Sequence, residues 1–154
     1  MRDFKTYRDI LDNGSYLCLI PSDLDKSSIY SLCLEMGVQI PDVNDLHCTL
    51  MYSPEVGNPD IKPDYTNHRG ILGDLKLFGP EKDYLVVEVT YCPSIVERHR
   101  ELLEYGLVPT YAEYRPHISL VPGGFKGEIP QLNTLKGMHV TLGDEQHTPL
   151  DPDR

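Results

Sequence analysis

Two short segments of this chain place a histidine two residues ahead of a hydroxyl: His47-Cys48-Thr49-Leu50 and His117-Ile118-Ser119-Leu120. Both read H-x-[ST]-L. Alternate side chains of a β-strand share a face, so His47 and Thr49 point one way while Cys48 and Leu50 point the other, and His117 and Ser119 do likewise. One face of each strand packs; the other offers an imidazole beside a hydroxyl. If the two strands meet, four polar groups gather on one floor. Imidazole titrates at about 6.5, so at neutral pH one histidine can serve as neutral base while the other serves as protonated acid. The hydroxyls can donate to non-bridging phosphate oxygens, where negative charge accumulates during phosphoryl transfer. Such a set suits phosphoester cleavage and calls for no metal, no cofactor and no pair of carboxylates. Average residue usage gives a single match roughly 0.2 times in a chain this long, so two in equivalent places stand out.

The surrounding sequence must supply strands to carry these motifs and helices to cover them. Residues 16–20 (YLCLI) form a short apolar run between Asn13-Gly14 and Pro21, which suits a buried strand. A helix is expected next, capped by Ser22 or Asp23, carrying Leu24, Ile29, Leu32, Cys33 and Met36 and ending at Gly37. Residues 47–52 and 70–78 read as strands. Between them, residues 54–69 hold three prolines and many polar side chains, a loop long enough to be a lid. Residues 84–91 (YLVVEVTY) form the strongest strand. A second helix starts at Pro93-Ser94, buries Ile95, Val96, His99, Leu102 and Leu103, and ends at Gly106. Strands at 117–121 and about 138–142 complete the chain, and residues 148–154 read as a frayed tail.

The order strand, helix, strand, strand therefore occurs twice, approximately over 15–79 and 83–143. His47 follows Tyr16 by 31 residues and His117 follows Tyr84 by 33. The closing strands align too: residues 73–79 and 137–143 each begin and end with glycine. The whole chain, 1–154, is expected to form a single domain in which two related units bring their H-x-[ST] strands together.

Composition bounds the substrate. With 40% hydrophobic and 25% charged residues and a mean hydropathy of -0.35, the chain is an ordinary globular one rather than a disordered or fibrous one. Its 24 acidic and 14 basic side chains give a net charge of -10, which repels a polyanion and excludes the basic footprint of polymeric nucleic-acid binding. A nucleotide ligand must then be small. Cys18, Cys33, Cys48 and Cys92 form no C-x-x-C pair and read as buried thiols in a reducing compartment. With no apolar leader at the N-terminus and no run of roughly 20 apolar residues, the expectation is a cytoplasmic protein without a membrane segment.

These duplicated motifs resemble the two-histidine (2H) phosphoesterase superfamily, and the likeness runs from about Tyr16 to Leu142. The HCTLMYS and HISLVPGG strands and the short chain are similar to the T4-type phage anti-CBASS phosphodiesterases, which degrade cyclic oligonucleotide alarm signals in bacteria. The resemblance implies an α+β, bilobal fold with two pseudo-symmetric antiparallel sheet lobes, helices on the outside and a central cleft. It implies that His47, Thr49, His117 and Ser119 line that cleft and cleave phosphodiesters without a metal. It also implies, for this kin, a small 3′,5′-linked cyclic di- or trinucleotide substrate such as cyclic GMP-AMP; the chain is expected to be a monomer.

The remaining substrate contacts are less constrained. Tyr16 and Phe78 are candidate base-stacking rings in a chain without tryptophan, although Phe78 equally suits core packing. Glu145 is a candidate acceptor for a base N–H, against the alternative of a solvated turn carboxylate. Tyr111, Tyr114 and Arg115 are placed to form the rim of the second motif, with Arg115 a phosphate contact. His68, His99, His139 and His147 lack metal-site spacing and are expected to be structural or exposed. Two other functions fit the motifs: a 2′,3′-cyclic phosphodiesterase or 2′–5′ RNA-end-processing enzyme, and a non-catalytic module that sequesters a cyclic nucleotide. The acidic surface disfavours the former, and a complete acid–base pair disfavours the latter.

Overall fold

The computed structural model describes residues 3–152. Helix α1 (Phe4–Asn13) begins at Asp3, whose carboxylate accepts from Thr6 N–H at 2.7 Å, and ends at Gly14 in the left-handed region, φ 95°. Strand β1 (Ser15–Pro21) leads into α2 (Asp23–Glu35), capped by Ser22 and charged favourably in its first turn by Asp23 and Asp25. A single 3-10 turn (Val43–Asp45) precedes β2 (Cys48–Ser53). Then follow β3 (His68–Phe78), β4 (Tyr84–Thr90), α3 (Pro93–Glu104), β5 (His117–Val121) and β6 (His139–Pro149). Pro93 opens α3 with no side-chain cap, in keeping with the fixed φ of proline at a helix start.

The chain is α+β: six strands pair antiparallel in one closed circuit, β1-β2-β5-β4-β3-β6. Exchanging β1 with β4, β2 with β5 and β3 with β6 leaves every neighbour in that circuit unchanged. Two well-laddered three-stranded runs, β2-β1-β6 and β5-β4-β3, are joined by β3–β6 and by β2–β5. The second junction is a single residue pair, Cys48↔Ile118. Helical Ile29, Cys33, Ile95 and Leu102 pack with strand residues Leu17, Leu19, Cys48, Leu50, Leu85, Val87, Ile118 and Leu120 in one core. All twelve are fully buried. The four cysteines are buried and unpaired. Among the described residues no helix is long and apolar enough to cross a membrane.

Several features depart from the sequence reading. Helix α1 went unanticipated because it buries only Ile10. Residues 148 and 149, expected in a frayed tail, complete β6 by pairing with Tyr16 and Ser15; residues 153 and 154 lie outside the described residues. His68, expected in the loop, opens β3, 2% exposed, with Nδ1 2.8 Å from Ser94 Oγ.

Residues 54–67 are tied down rather than poised as a lid. Asn58 N–H donates to Ser15 Oγ at 3.0 Å, its amide donates to Tyr105 O, Tyr7 donates to Asp60, and Ile61 is buried. Arg98 of α3 donates to Lys62 O at 3.0 Å. The same guanidinium grips Glu145 of β6 with two bonds of 2.8 Å, the carboxylate being only 4% exposed. Removing one partner of a buried ion pair strands the other charge, at a cost of about 3–5 kcal/mol. Arg98→Ala should therefore lower the thermal midpoint by on the order of 10 °C, given about 2–4 °C per kcal/mol for a chain of this size. Differential scanning calorimetry checks this, and a drop under about 2 °C would show that the pair contributes little to stability.

Candidate active site

The antiparallel pair Cys48↔Ile118 decides how the motifs meet. With that register, His47 lies opposite Ser119 and Thr49 opposite His117, all four on the face away from the buried Cys48 and Ile118. The burial pattern agrees: each histidine and hydroxyl is half-buried, and Cys48, Leu50, Ile118 and Leu120 are fully buried. His47 and Ser119 line one cavity of 210 Å³ together with Asp45 and Pro122.

Both strands carry a bulge immediately after the hydroxyl. On β2, Thr49 pairs with Cys18 and Met51 with Leu17, leaving Leu50 as the extra residue. On β5, Ser119 pairs with Val86 and Val121 with Leu85, leaving Leu120 extra. A bulge bends its strand and re-aims the side chains beside it, a device common next to active sites. The same register puts Cys18 beside Thr49 and Val86 beside Ser119, so these two form the apolar floor. The sequence reading did not identify them, yet each stands two residues after the tyrosine that opens its run, Tyr16 or Tyr84. Burial, reinforced by Asp45, Asp144 and Glu145, pushes the Cys18 thiol up to about 11, so it is a packing group and not a nucleophile.

The imidazoles are held alike. His47 Nδ1 lies 2.6 Å from Asp45 O and His117 Nδ1 lies 2.7 Å from Arg115 O, in each case the carbonyl two residues upstream. A carbonyl only accepts, so each Nδ1 carries the hydrogen and Nε2 is the nitrogen left to face a substrate. Burial, together with the charge of His47 and against the Arg115 bond, holds His117 below the ordinary histidine range. Phe78 packs edge-on to His117, ring centroids 4.8 Å apart, and Tyr16 packs edge-on to His47 at 6.2 Å.

The other candidate residues divide. The Tyr16 hydroxyl shares a 2.9 Å hydrogen bond with Thr49 Oγ1, and burial pushes it up to about 12, so Tyr16 orients the hydroxyl of the first motif as a neutral group. Phe78, Tyr111 and Arg115 line an open cavity of 430 Å³ with Lys82 and Glu113. Arg115 is exposed there and paired with Glu113 at 3.2 Å. Two expectations do not hold. Glu145 is consumed by Arg98 rather than available to a base, and Tyr114 is not at the rim: its hydroxyl donates to Thr49 O at 2.7 Å and its ring stacks on His99. His99 is bonded to Leu50 O through Nδ1 and His147 to Ser15 Oγ through Nε2, as structural histidines are.

The model of the family described as Anti-CBASS protein Acb1 matches residues 13–154. The chain is 25% identical over 140 residues to the Anti-CBASS protein Acb1 of Vibrio phage KVP40, covering 90% of this chain and 88% of that protein. The two H-x-[ST] strands and the cleft they floor fall inside the matched region, and the chain belongs to the Acb1 family of anti-CBASS proteins.

Proposed function

We propose that this protein is a metal-independent phosphodiesterase that opens 3′,5′-linked cyclic di- or trinucleotides, and that it does so in a bacterial cytoplasm on behalf of a phage. The two three-stranded runs are read as the lobes of a bilobal 2H fold. The observation that carries the reading is the register that sets His47 opposite Ser119 and Thr49 opposite His117 with both Nε2 atoms unclaimed by the backbone. In-line displacement needs a base near the attacking oxygen and an acid near the leaving one, and a diagonal pair of imidazoles provides both. The ribose 2′-hydroxyl is the economical nucleophile, because it is already attached beside the phosphorus and gains effective molarity over water.

The balance of the first step is simple. His117, held neutral by burial, takes the 2′-proton on Nε2; the 2′-oxygen bonds to phosphorus; the bond to the 5′-oxygen breaks, and His47 protonates that oxygen. Thr49 and Ser119 donate to the non-bridging oxygens. Water then opens the 2′,3′-cyclic phosphate with the roles of the histidines exchanged. Lys82 and Arg115, which share a cavity with Phe78, the ring packed on His117, suit the second phosphate of the ring, and Phe78 and Tyr111 offer flat faces to a base. Asp45, in the cavity beside His47, takes the acceptor role expected of Glu145.

His47→Ala and His117→Ala should each lower kcat on cyclic GMP-AMP by about 10²–10⁴-fold. Chromatography of products from a panel of cyclic oligonucleotides and 2′,3′-cyclic nucleotides checks this. Turnover of only the latter would favour the RNA-end reading, and undiminished turnover in both variants would remove the histidines from the mechanism. A substrate whose attacking position is 2′-deoxy should bind and resist cleavage, and EDTA should leave turnover intact.

The pH profile follows from His117. A base works when deprotonated, and this one is held below the ordinary value of 6.5, so the acidic limb of kcat/KM should rise with pH and reach half-height below 6.5. An acidic limb centred above 7 would assign the base to another group.

A further inference from the structure

Bulges leave backbone groups without ladder partners, and the bulge after Thr49 is closed in an unusual way. In a regular strand the Thr49 and Leu50 carbonyls would point to opposite edges. Here both are taken up by one stacked pair of side chains: Tyr114 O–H donates to Thr49 O at 2.7 Å, and His99 Nδ1–H donates to Leu50 O at 2.6 Å. The two rings lie parallel, 3° apart in plane and 4.0 Å between centroids. Their origins differ. His99 comes from the middle of α3, while Tyr114 comes from the segment that runs into β5, three residues before His117 and next to Arg115, whose carbonyl tethers the His117 imidazole. Tyr114 thus spans from the backbone that holds His117 to the backbone that holds Thr49. Burial keeps its phenol protonated, as a donor to a carbonyl requires. β2 and β5 share a single ladder pair, and among the described residues the segment leading into β5 is tied to β2 elsewhere only toward its far end, where Thr110 N–H donates to Tyr52 O and Val108 N–H to Ser53 Oγ.

We propose that Tyr114 and His99 are positioning residues, a clamp that locks the bulge after Thr49 and sets the spacing between the two H-x-[ST] motifs. Neither ring needs to touch substrate. The inference rests on the phosphodiesterase reading for its catalytic consequence, though not for the locking itself. Catalytic groups work only when held within about 0.5 Å of their productive positions, and a shift of about 1 Å can cost about 10²-fold in rate.

Tyr114→Phe keeps the ring and its stack on His99 and removes the hydroxyl, with its bond to Thr49 O and its contact with the Cys48 side chain, so it separates positioning from packing. In steady-state assays on cyclic GMP-AMP well below the unfolding midpoint, kcat should fall by roughly tenfold to a hundredfold with KM changed less than about threefold. His99→Gln, which retains an N–H donor for Leu50 O, should recover a larger share of kcat than His99→Leu. Wild-type kcat in Tyr114→Phe, or a loss that vanishes on correction for the folded fraction, would overturn the clamp. Amide hydrogen exchange supplies a readout free of turnover: in Tyr114→Phe the amides of residues 49–51 should exchange at least about tenfold faster than in wild type, while those of β3 and β4 stay unchanged. Unchanged exchange at 49–51 would also overturn it. If the wild-type protein cleaves none of the panel, the function reading falls, and the exchange data still decide the locking.

Discussion

A single backbone pair between β2 and β5 is the constraint on which the site depends. Cys48 and Ile118 face each other at that pair, both fully buried, and their burial fixes the register. A slip of one residue would drive an imidazole or a hydroxyl into the core and lift Cys48 or Ile118 into the cleft. The hydrophobic effect thereby aims the site: the more firmly these two apolar side chains are held, the more firmly the four polar ones are presented. The bulges at Leu50 and Leu120 end this straight stretch on both strands.

Holding two imidazoles by backbone carbonyls, rather than by carboxylates, suits a chain with ten excess negative charges. A carboxylate behind each ring would add anionic potential beside the imidazoles, where the proposed phosphodiester substrate would dock. Carbonyl tethers fix the tautomer without adding charge. The buried carboxylate of Glu145 is neutralised by the bidentate grip of Arg98, which also anchors residues 54–67 through Lys62 O. Asp45 and Glu113, which line the cavities beside the motifs, are exposed, so solvent screens their charge.

How much of this was legible in the sequence depended on whether the signal was local. The H-x-[ST] strands, the helix opened by the Ser22 cap and the one opened by Pro93, with their terminal glycines, and the paired order of elements are written in short-range periodicity and turn chemistry, and the structure places strands and helices there. The misreadings have long-range or subtle causes. Gly143-Asp144-Glu145 looked like a turn after the last strand. Asp144 instead adopts φ 46° within a bulge of β6, so the strand continues and Glu145 meets Arg98, 47 residues away. Tyr114 has the composition of a rim residue, and only the fold brings it to Thr49, 65 positions earlier. The bulges leave no trace because H-x-[ST]-L is also what a regular strand would carry. Cys18 and Val86, by contrast, occupy equivalent offsets in the repeat and were within reach of the sequence alone.

A duplicated scaffold poses a chemical difficulty, since acid–base catalysis needs two groups that differ. The two imidazoles have matching tethers and matching hydroxyl neighbours, so symmetry must be broken outside the motifs. Phe78 breaks it. It closes against His117 at 4.8 Å and helps bury that ring, whereas the ring facing His47 is Tyr16, farther off at 6.2 Å and engaged through its hydroxyl with Thr49. Desolvation disfavours the charged form, and the positive charge of one histidine further disfavours charge on the other. Burial therefore favours the neutral form of His117, and a packing difference outside the motifs is what distinguishes two otherwise matched rings.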